Sequence, residues 1–214
     1  MDEEITIIDS NTRNEKIIKF FIENKKLLIT ISSILILIIF SFYSYQVYKN
    51  SHKEQLANKY NIAIIEYENG DKSKIISSMK EIIEDKDKTY SPLALYFLID
   101  NNLEENNDII NNLFDILIKE TNLETEIKNL LIYKKALFNS DFVTENNLLE
   151  ILGPIINSES IWKSHALYLM AEYFYSKKEK QKSKEFFNQI LTLTNSSSHI
   201  RLKAQKRINR DFGE

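Results

Sequence analysis

Hydrophobic and polar positions along the chain recur with a helical period and almost nowhere alternate in steps of two. This pattern predicts an all-α protein, with one long apolar helix near the N-terminus and shorter helices after it. We expect helices over 11–24, 27–69, 73–85, 91–100, 103–120, 124–138, 144–152, 160–176, 179–194 and 199–210. Ser91 and Thr144 are the expected N-caps, Gly70 follows the long helix, and Gly153-Pro154 ends the helix that starts at Thr144.

The long apolar helix contains a stretch that fits a membrane span. Leu27 to Tyr48 is 22 residues without a charge, and its length of roughly 33 Å matches the hydrocarbon core of a bilayer. A buried core helix rarely runs this long without a charge. A cleavable signal peptide needs a small-x-small site after the apolar run, and none is present. We therefore expect an uncleaved anchor, with membrane contacts from Leu27, Ile34, Leu37, Phe40, Tyr43 and Tyr45.

Basic residues near the two ends of the span predict its orientation. Five lie on the N-terminal side and three on the C-terminal side, which favours an N-terminus in the cytoplasm. The expected organisation is a cytoplasmic segment over 1–26, a transmembrane helix over 27–48, and a domain over 49–214 outside the cytoplasm. The helix expected over 11–24 either lies on the membrane surface or extends the span.

Helix pairs follow the span at a nearly regular interval. Their first helices begin near Leu56, Pro92, Glu124 and Ser164, at spacings of 36, 32 and 40 residues, which scatter about the tetratricopeptide period of roughly 34. The last pair fits best, because the small residues Ala171 and Ser183 stand where two helices approach closely. We expect an α-solenoid of about four hairpins closed by a C-terminal helix. A helical bundle with accidental spacing is the alternative.

The composition argues against enzymatic and nucleic-acid functions. Three glycines and no cysteine leave no phosphate-binding loop, nucleophile elbow or thiolate metal site. The three histidines lie on different predicted elements, and a net charge of −3 creates no field that attracts nucleic acid. We therefore expect a protein that is not an enzyme and that has no cofactor, metal or small-molecule substrate.

Several stretches together resemble one family. They are Glu3-Glu4, a short basic segment and the single span, followed by 90–95 (YSPLAL), 148–171 and 201–205 (RLKAQ). The whole chain resembles the membrane-anchored tetratricopeptide-like family of the ancillary SecYEG translocon subunit (YfgM type), in its alphaproteobacterial branch. The chain departs from it by carrying bulky Ile, Phe and Tyr where the family often has Ala.

This resemblance implies a single-pass protein of the inner membrane whose helical domain lies in the periplasm. The implied role is to bind partner or emerging client proteins beside the Sec channel, with SecYEG or an associated membrane chaperone as partner. The alternative is a scaffold of another envelope complex, such as one for cell division or outer-membrane assembly.

Partners of tetratricopeptide arrays lie in a groove lined by the first helix of each hairpin. The groove positions expected here are Tyr60, Ile64, Tyr67, His165, Tyr168, Glu172 and Tyr175. Tyrosine suits the recognition of extended polypeptide because it offers apolar area with a polar tip. The same rings alternatively cap the edges of the core. The basic last helix is expected either to contact anionic headgroups or an acidic partner, or only to cap the solenoid.

Overall fold

The computed structural model describes residues 15–68, 70 and 72–213, and within them the chain is all-helical with no strand. The expected all-α class is thereby confirmed. Of the helix expected over 11–24, residues 11–14 lie outside the described part, and 15–23 form α1. The other elements are α2 (Lys25–Glu68), α3 (Lys72–Glu84), α4 (Tyr90–Asp100), α5 (Asn107–Asp115), a π-helical segment (Ile116–Glu120), α6 (Thr125–Asn139), α7 (Glu145–Ile156), α8 (Lys163–Ser176), α9 (Lys180–Thr192) and α10 (Ser198–Asp211).

The chain divides into two compact units, Met1–Gln55 and Leu56–Glu214. The described part of the first unit holds α1 and the apolar part of α2, whose large apolar side chains are exposed except for the half-buried Leu28. Among the described residues, α2 is the helix long and apolar enough to cross a membrane, by length and composition. Two of its hydroxyl groups are satisfied within the helix, since Thr30 Oγ1 donates to the Lys26 carbonyl and Ser33 Oγ to the Ile29 carbonyl. Such bonding lowers the cost of a hydroxyl in lipid.

The second unit is built from helices that pack on their neighbours in chain order. The C-terminal part of α2 shares an apolar cluster with α3, and α3 packs on α4. Further along, α6 packs on α7 and α8 on α9, while α10 packs on both α8 and α9. Three apolar clusters follow one another along this series. The first two meet within α6, where Leu131 belongs to one and Ile132 to the next. Each hairpin therefore buries its apolar face against its neighbours.

Many polar contacts between hairpins join residues at a similar separation. Eight such hydrogen bonds link residues 33 to 37 positions apart, whereas five others span 20 to 30 residues. The eight run from Lys86 to Glu120 at one end of this set and from Glu172 to Arg207 at the other. Corresponding positions of neighbouring hairpins thus lie side by side.

Two of the expected helix caps are confirmed and one is wrong. Gly70 follows α2 with a φ of 101°, the left-handed conformation that a residue with a side chain rarely adopts. Thr144 Oγ1 accepts from the Asn147 amide at the start of α7. Ser91 is not a cap: it is buried within α4 and its Oγ donates to the Ile82 carbonyl of α3 at 2.5 Å. Asp87 instead accepts from the amides of residues 89 and 90.

The expectation that Gly153-Pro154 ends α7 is also wrong. The helix continues through Pro154 to Ile156, and the Gly153 carbonyl accepts from the amide of Asn157 at 3.0 Å. Proline removes one amide donor and disfavours the helical conformation of the residue before it, but it leaves the following turn free to form. Burial of Leu152 and Ile155 in the second apolar cluster favours that extra turn.

Candidate functional site

The four groove positions expected on α8 share one face of the helix. His165, Tyr168, Glu172 and Tyr175 are spaced three, four and three residues apart, which places them in one row. All four are half-buried, whereas most other positions of α8 are buried in the apolar clusters. This α8 row is therefore the main part of the helix that a partner is able to touch.

Neighbouring helices hold the tyrosine rings of the α8 row in place. The Tyr168 ring lies 5.4 Å from that of Phe187, and the Tyr175 ring lies 5.9 Å from that of Phe212, between ring centroids. Burial of the phenol, together with the neighbouring Glu172 carboxylate, raises the pKa of Tyr168 to about 12. Both rings thus cover part of the core and keep part of their surface free.

An ion pair joins the α8 row to α10. Arg207 donates from Nε and Nη2 to the two carboxylate oxygens of Glu172, at 2.7 and 2.6 Å. Its guanidinium lies 4.3 Å from the centroid of the Tyr175 ring, and it also pairs with Asp211. The charge on Glu172 is therefore neutralised within the protein.

His165 lies at the other end of the row, among aromatic rings. Its ring centroid is 5.1 Å from that of Trp162 and 5.9 Å from that of Tyr133. Its Nδ1 is buried and has no hydrogen-bond partner among the described residues. Burial lowers the pKa of His165, and the nearby charges of His199 and Lys203 lower it further. The environment of His165 therefore favours the neutral form of its side chain.

The groove positions expected on α2 form a second row. Tyr60, Ile64 and Tyr67 are half-buried and pack against the first apolar cluster. The Tyr67 ring meets that of Phe97 of α4 at 5.3 Å, and Tyr60 lies 6.0 Å from Tyr90. The α2 row thus contacts rings of α4, whereas the α8 row contacts a ring of α9 and the Arg207 side chain of α10. Whether either row binds a partner stays a prediction.

The exposed apolar side chains of the second unit are distributed unevenly, which the sequence analysis missed. The described set is Ile62, Ile65, Leu93, Ile127, Leu137, Phe142, Ile161 and Leu202. Apart from Phe142 in the α6–α7 loop, each stands on α2, α4, α6 or α10 or directly precedes α8. None stands on α3, α5, α7 or α9. In the sequence, these side chains are recognisable as apolar residues at positions that the helical period assigns to the solvent-facing side of a helix.

Three of these side chains lie beside a contact between α4 and α6. Lys134 Nζ is 5.6 Å from the centroid of the Tyr96 ring. Leu93 precedes Tyr96 by one turn, while Ile127 and Leu137 share the face of Lys134, at seven residues before it and three after it. We call Leu93, Ile127 and Leu137, with this contact between them, the central patch.

Among the described residues, no group of three or more His, Cys, Asp or Glu side chains is suited to a metal ion. A cleft of about 530 Å³ lies among α5, the π-helical segment, α6 and α7. Part of its polar lining is paired internally, because Lys135 donates to Asp115 at 2.7 Å and Asn111 exchanges two amide hydrogen bonds with Asn139.

The chain was compared with protein-family models, with curated protein sequences and with solved structures. None of the three comparisons finds a match.

Proposed function

We propose that this protein is a non-catalytic, membrane-tethered module that binds polypeptide segments along the first helices of a tetratricopeptide-like array. The observation that carries the proposal is the uneven distribution of exposed apolar side chains: apart from Phe142, Ile161 and Leu202 they stand on first helices, and none of those described stands on a second helix. Exposed apolar area of this kind is typical of an interaction surface. In a tetratricopeptide array the first helices line the groove in which partners lie.

The solenoid arrangement is part of this proposal. It is supported by the eight hydrogen bonds that join residues 33 to 37 positions apart, since a period of about 34 residues brings equivalent positions of stacked tetratricopeptide hairpins together. It is also supported by Ser183, which is buried and donates to the Ala171 carbonyl at 2.8 Å where α8 and α9 cross. Small residues at that crossing are what a close helix pair requires.

The anchor confines the binding surface to the membrane. The length and apolar character of α2 support a span over Leu27–Tyr48, and the excess of basic residues before it supports an N-terminus in the cytoplasm. Tethering raises the effective concentration of a weak binding site near its target. By resemblance, we place the domain in the periplasm beside the Sec channel, where it binds partner or emerging client proteins.

The experiment uses the full-length chain in a neutral detergent and a fluorescein-labelled peptide in which Leu and Tyr alternate with Gln. We expect the peptide to bind, and the variant Leu93→Gln/Ile127→Gln/Leu137→Gln to bind it at least about tenfold more weakly, because buried apolar contacts dominate such interfaces. Phe142→Gln is the matched control, since it removes an exposed apolar ring outside the central patch. Equal binding by wild type and triple variant contradicts the proposal.

A second experiment tests the partner that the resemblance implies. The full-length chain and a form lacking residues 1–48, exported by a cleavable signal, are purified by affinity from a mild detergent extract. Recovery of the SecYEG channel with the full-length chain supports the translocon role. If the truncated form retains the channel, the helical domain makes the contact. Recovery of one other folded envelope complex, without the channel, favours the scaffold alternative.

A further inference from the structure

The outer face of α10 carries an excess of positive charge. The helix has five cationic side chains and one carboxylate, in a chain whose formal net charge is −3. Lys203, Lys206 and Arg210 are exposed and lie three and four residues apart, so that they form a row along one side of the helix. We call these three residues the basic row.

The basic row lies beside the α8 row. Arg207, in the same part of α10, is fixed to Glu172 of α8 by two hydrogen bonds at 2.7 and 2.6 Å. Lys203 lies one turn before Arg207 and Arg210 one turn after it. The charges that act on the α8 row agree with this placement. The charge of Lys203 acts to lower the pKa of His165, and that of Arg210 acts to lower the pKa of Tyr168.

The carboxylates at this surface pair with only one member of the basic row, Arg210. Glu172 is held by Arg207, and Asp211 is shared between Arg207 and Arg210. No carboxylate of the described residues forms an ion pair with Lys203 or Lys206. Partly exposed aromatic rings and free cations therefore lie next to each other between α8 and α10.

We propose that the surface between α8 and α10 selects acidic polypeptide segments, with the basic row pairing their carboxylates and the rings of Tyr168 and Tyr175 contacting their apolar side chains. This inference rests on the proposed function and names the class of partner. Charge complementarity favours an acidic segment. Half-buried rings in the adjoining row favour a polypeptide over a lipid surface, because a headgroup layer requires only the cations.

The test compares three fluorescein-labelled peptides that share one pattern, in which Leu and Tyr alternate with Glu, Gln or Lys. Each is titrated with the full-length chain in a neutral detergent at about 50 mM salt. The Debye length is then about 14 Å, so that exposed charges closer than this are only partly screened. We expect the Glu peptide to bind about tenfold more tightly than the Lys peptide. The variant Lys203→Gln/Lys206→Gln/Arg210→Gln is expected to remove this preference and leave the affinity for the Gln peptide within about twofold, because the Gln peptide carries no carboxylate for these cations to pair with.

The matched control is Lys53→Gln/Lys72→Gln/Lys88→Gln, which removes three exposed cations from α2, α3 and the α3–α4 loop. We expect it to keep the preference for the Glu peptide. Circular dichroism and the fluorescence of Trp162, the single tryptophan, check that each variant is folded.

Four outcomes overturn the inference. Equal binding of the Glu and Lys peptides, with the Gln peptide also bound, removes the selectivity but leaves the proposed function standing. Loss of the preference in the control variant as well shows a general charge effect. Binding of phosphatidylglycerol vesicles that depends on the basic row, with no preference among the peptides, assigns the row to lipid. If none of the peptides binds, the proposed function fails together with this inference.

Discussion

At the residue scale, His165 makes the stability of the second unit depend on pH. Burial lowers its pKa below the ordinary value of 6.5, assisted by His199 and Lys203 and opposed by the Ile161 carbonyl. The unfolded chain therefore binds a proton at a pH where the folded chain does not, and the free energy of unfolding falls as the pH falls below about 6.5. Urea unfolding followed by Trp162 fluorescence at about pH 7.5 and about pH 5.5 measures this difference.

The variant His165→Phe is the control for this prediction. It keeps an aromatic ring between Trp162 and Tyr133 but does not titrate. We expect the difference in unfolding free energy between the two pH values to be smaller in the variant than in the wild type. An equal difference in both proteins would assign the pH dependence to other groups.

Single residues also show where sequence reasoning succeeds and where it stops. Spacing alone placed the four positions of the α8 row on one face, because the helical period is local information. The pairing of Glu172 with Arg207 spans 35 residues, and no local sequence pattern predicts it. The exposure of Leu93 and Leu137 was missed because an apolar residue in a helical pattern is ordinarily assigned to the core.

At the element scale, Arg207 fixes α10 to α8. Its side chain is 13% exposed, and it makes two charge-assisted hydrogen bonds to Glu172 beside its contact with Tyr175. We expect Arg207→Ala to lower the local stability of α10 by about 1–3 kcal/mol. Hydrogen exchange of the α10 amides measures this as faster exchange confined to that helix.

Two further variants sharpen this measurement. Arg207→Lys is expected to restore only part of the protection, because an ammonium group cannot form two parallel bonds to one carboxylate. Arg210→Ala removes an arginine whose side chain is 67% exposed, and it is expected to leave the exchange of α10 unchanged. Equal effects of the Arg207→Ala and Arg210→Ala variants would contradict the anchoring role of Arg207.

Most helix boundaries were predictable within a few residues, because glycine, threonine and polar loops mark them. Pro154 shows the limit of such signals. Proline removes one hydrogen bond but does not by itself end a helix whose next turn is buried. Ser91 shows the same limit, since a serine suited to a cap is instead used for a bond between α3 and α4. Tertiary packing overrides local preference at both positions.

At the scale of the whole molecule, the all-α class and the single apolar helix followed from periodicity and composition. The association of the hairpins did not follow from the sequence pattern, because the middle hairpins carry bulky residues where the repeat pattern has small ones. The first two apolar clusters meet within α6, between Leu131 and Ile132. This junction results from the packing of several helices, which the sequence pattern of α6 alone does not specify.

Membrane orientation gives the last prediction, and the absence of cysteine from the chain makes it directly testable. Glu15→Cys and Ser198→Cys place one thiol at an exposed position on each side of the proposed span. Five basic residues before the span and three after it favour an N-terminus in the cytoplasm. In cells with a permeabilised outer membrane, an impermeant maleimide should label Ser198→Cys at once but Glu15→Cys only after lysis. Arg13→Gln/Lys16→Gln/Lys19→Gln in both backgrounds removes the charge bias, and mixed labelling should follow. The reverse labelling pattern would overturn the orientation, and release of the protein by a carbonate wash would overturn the span.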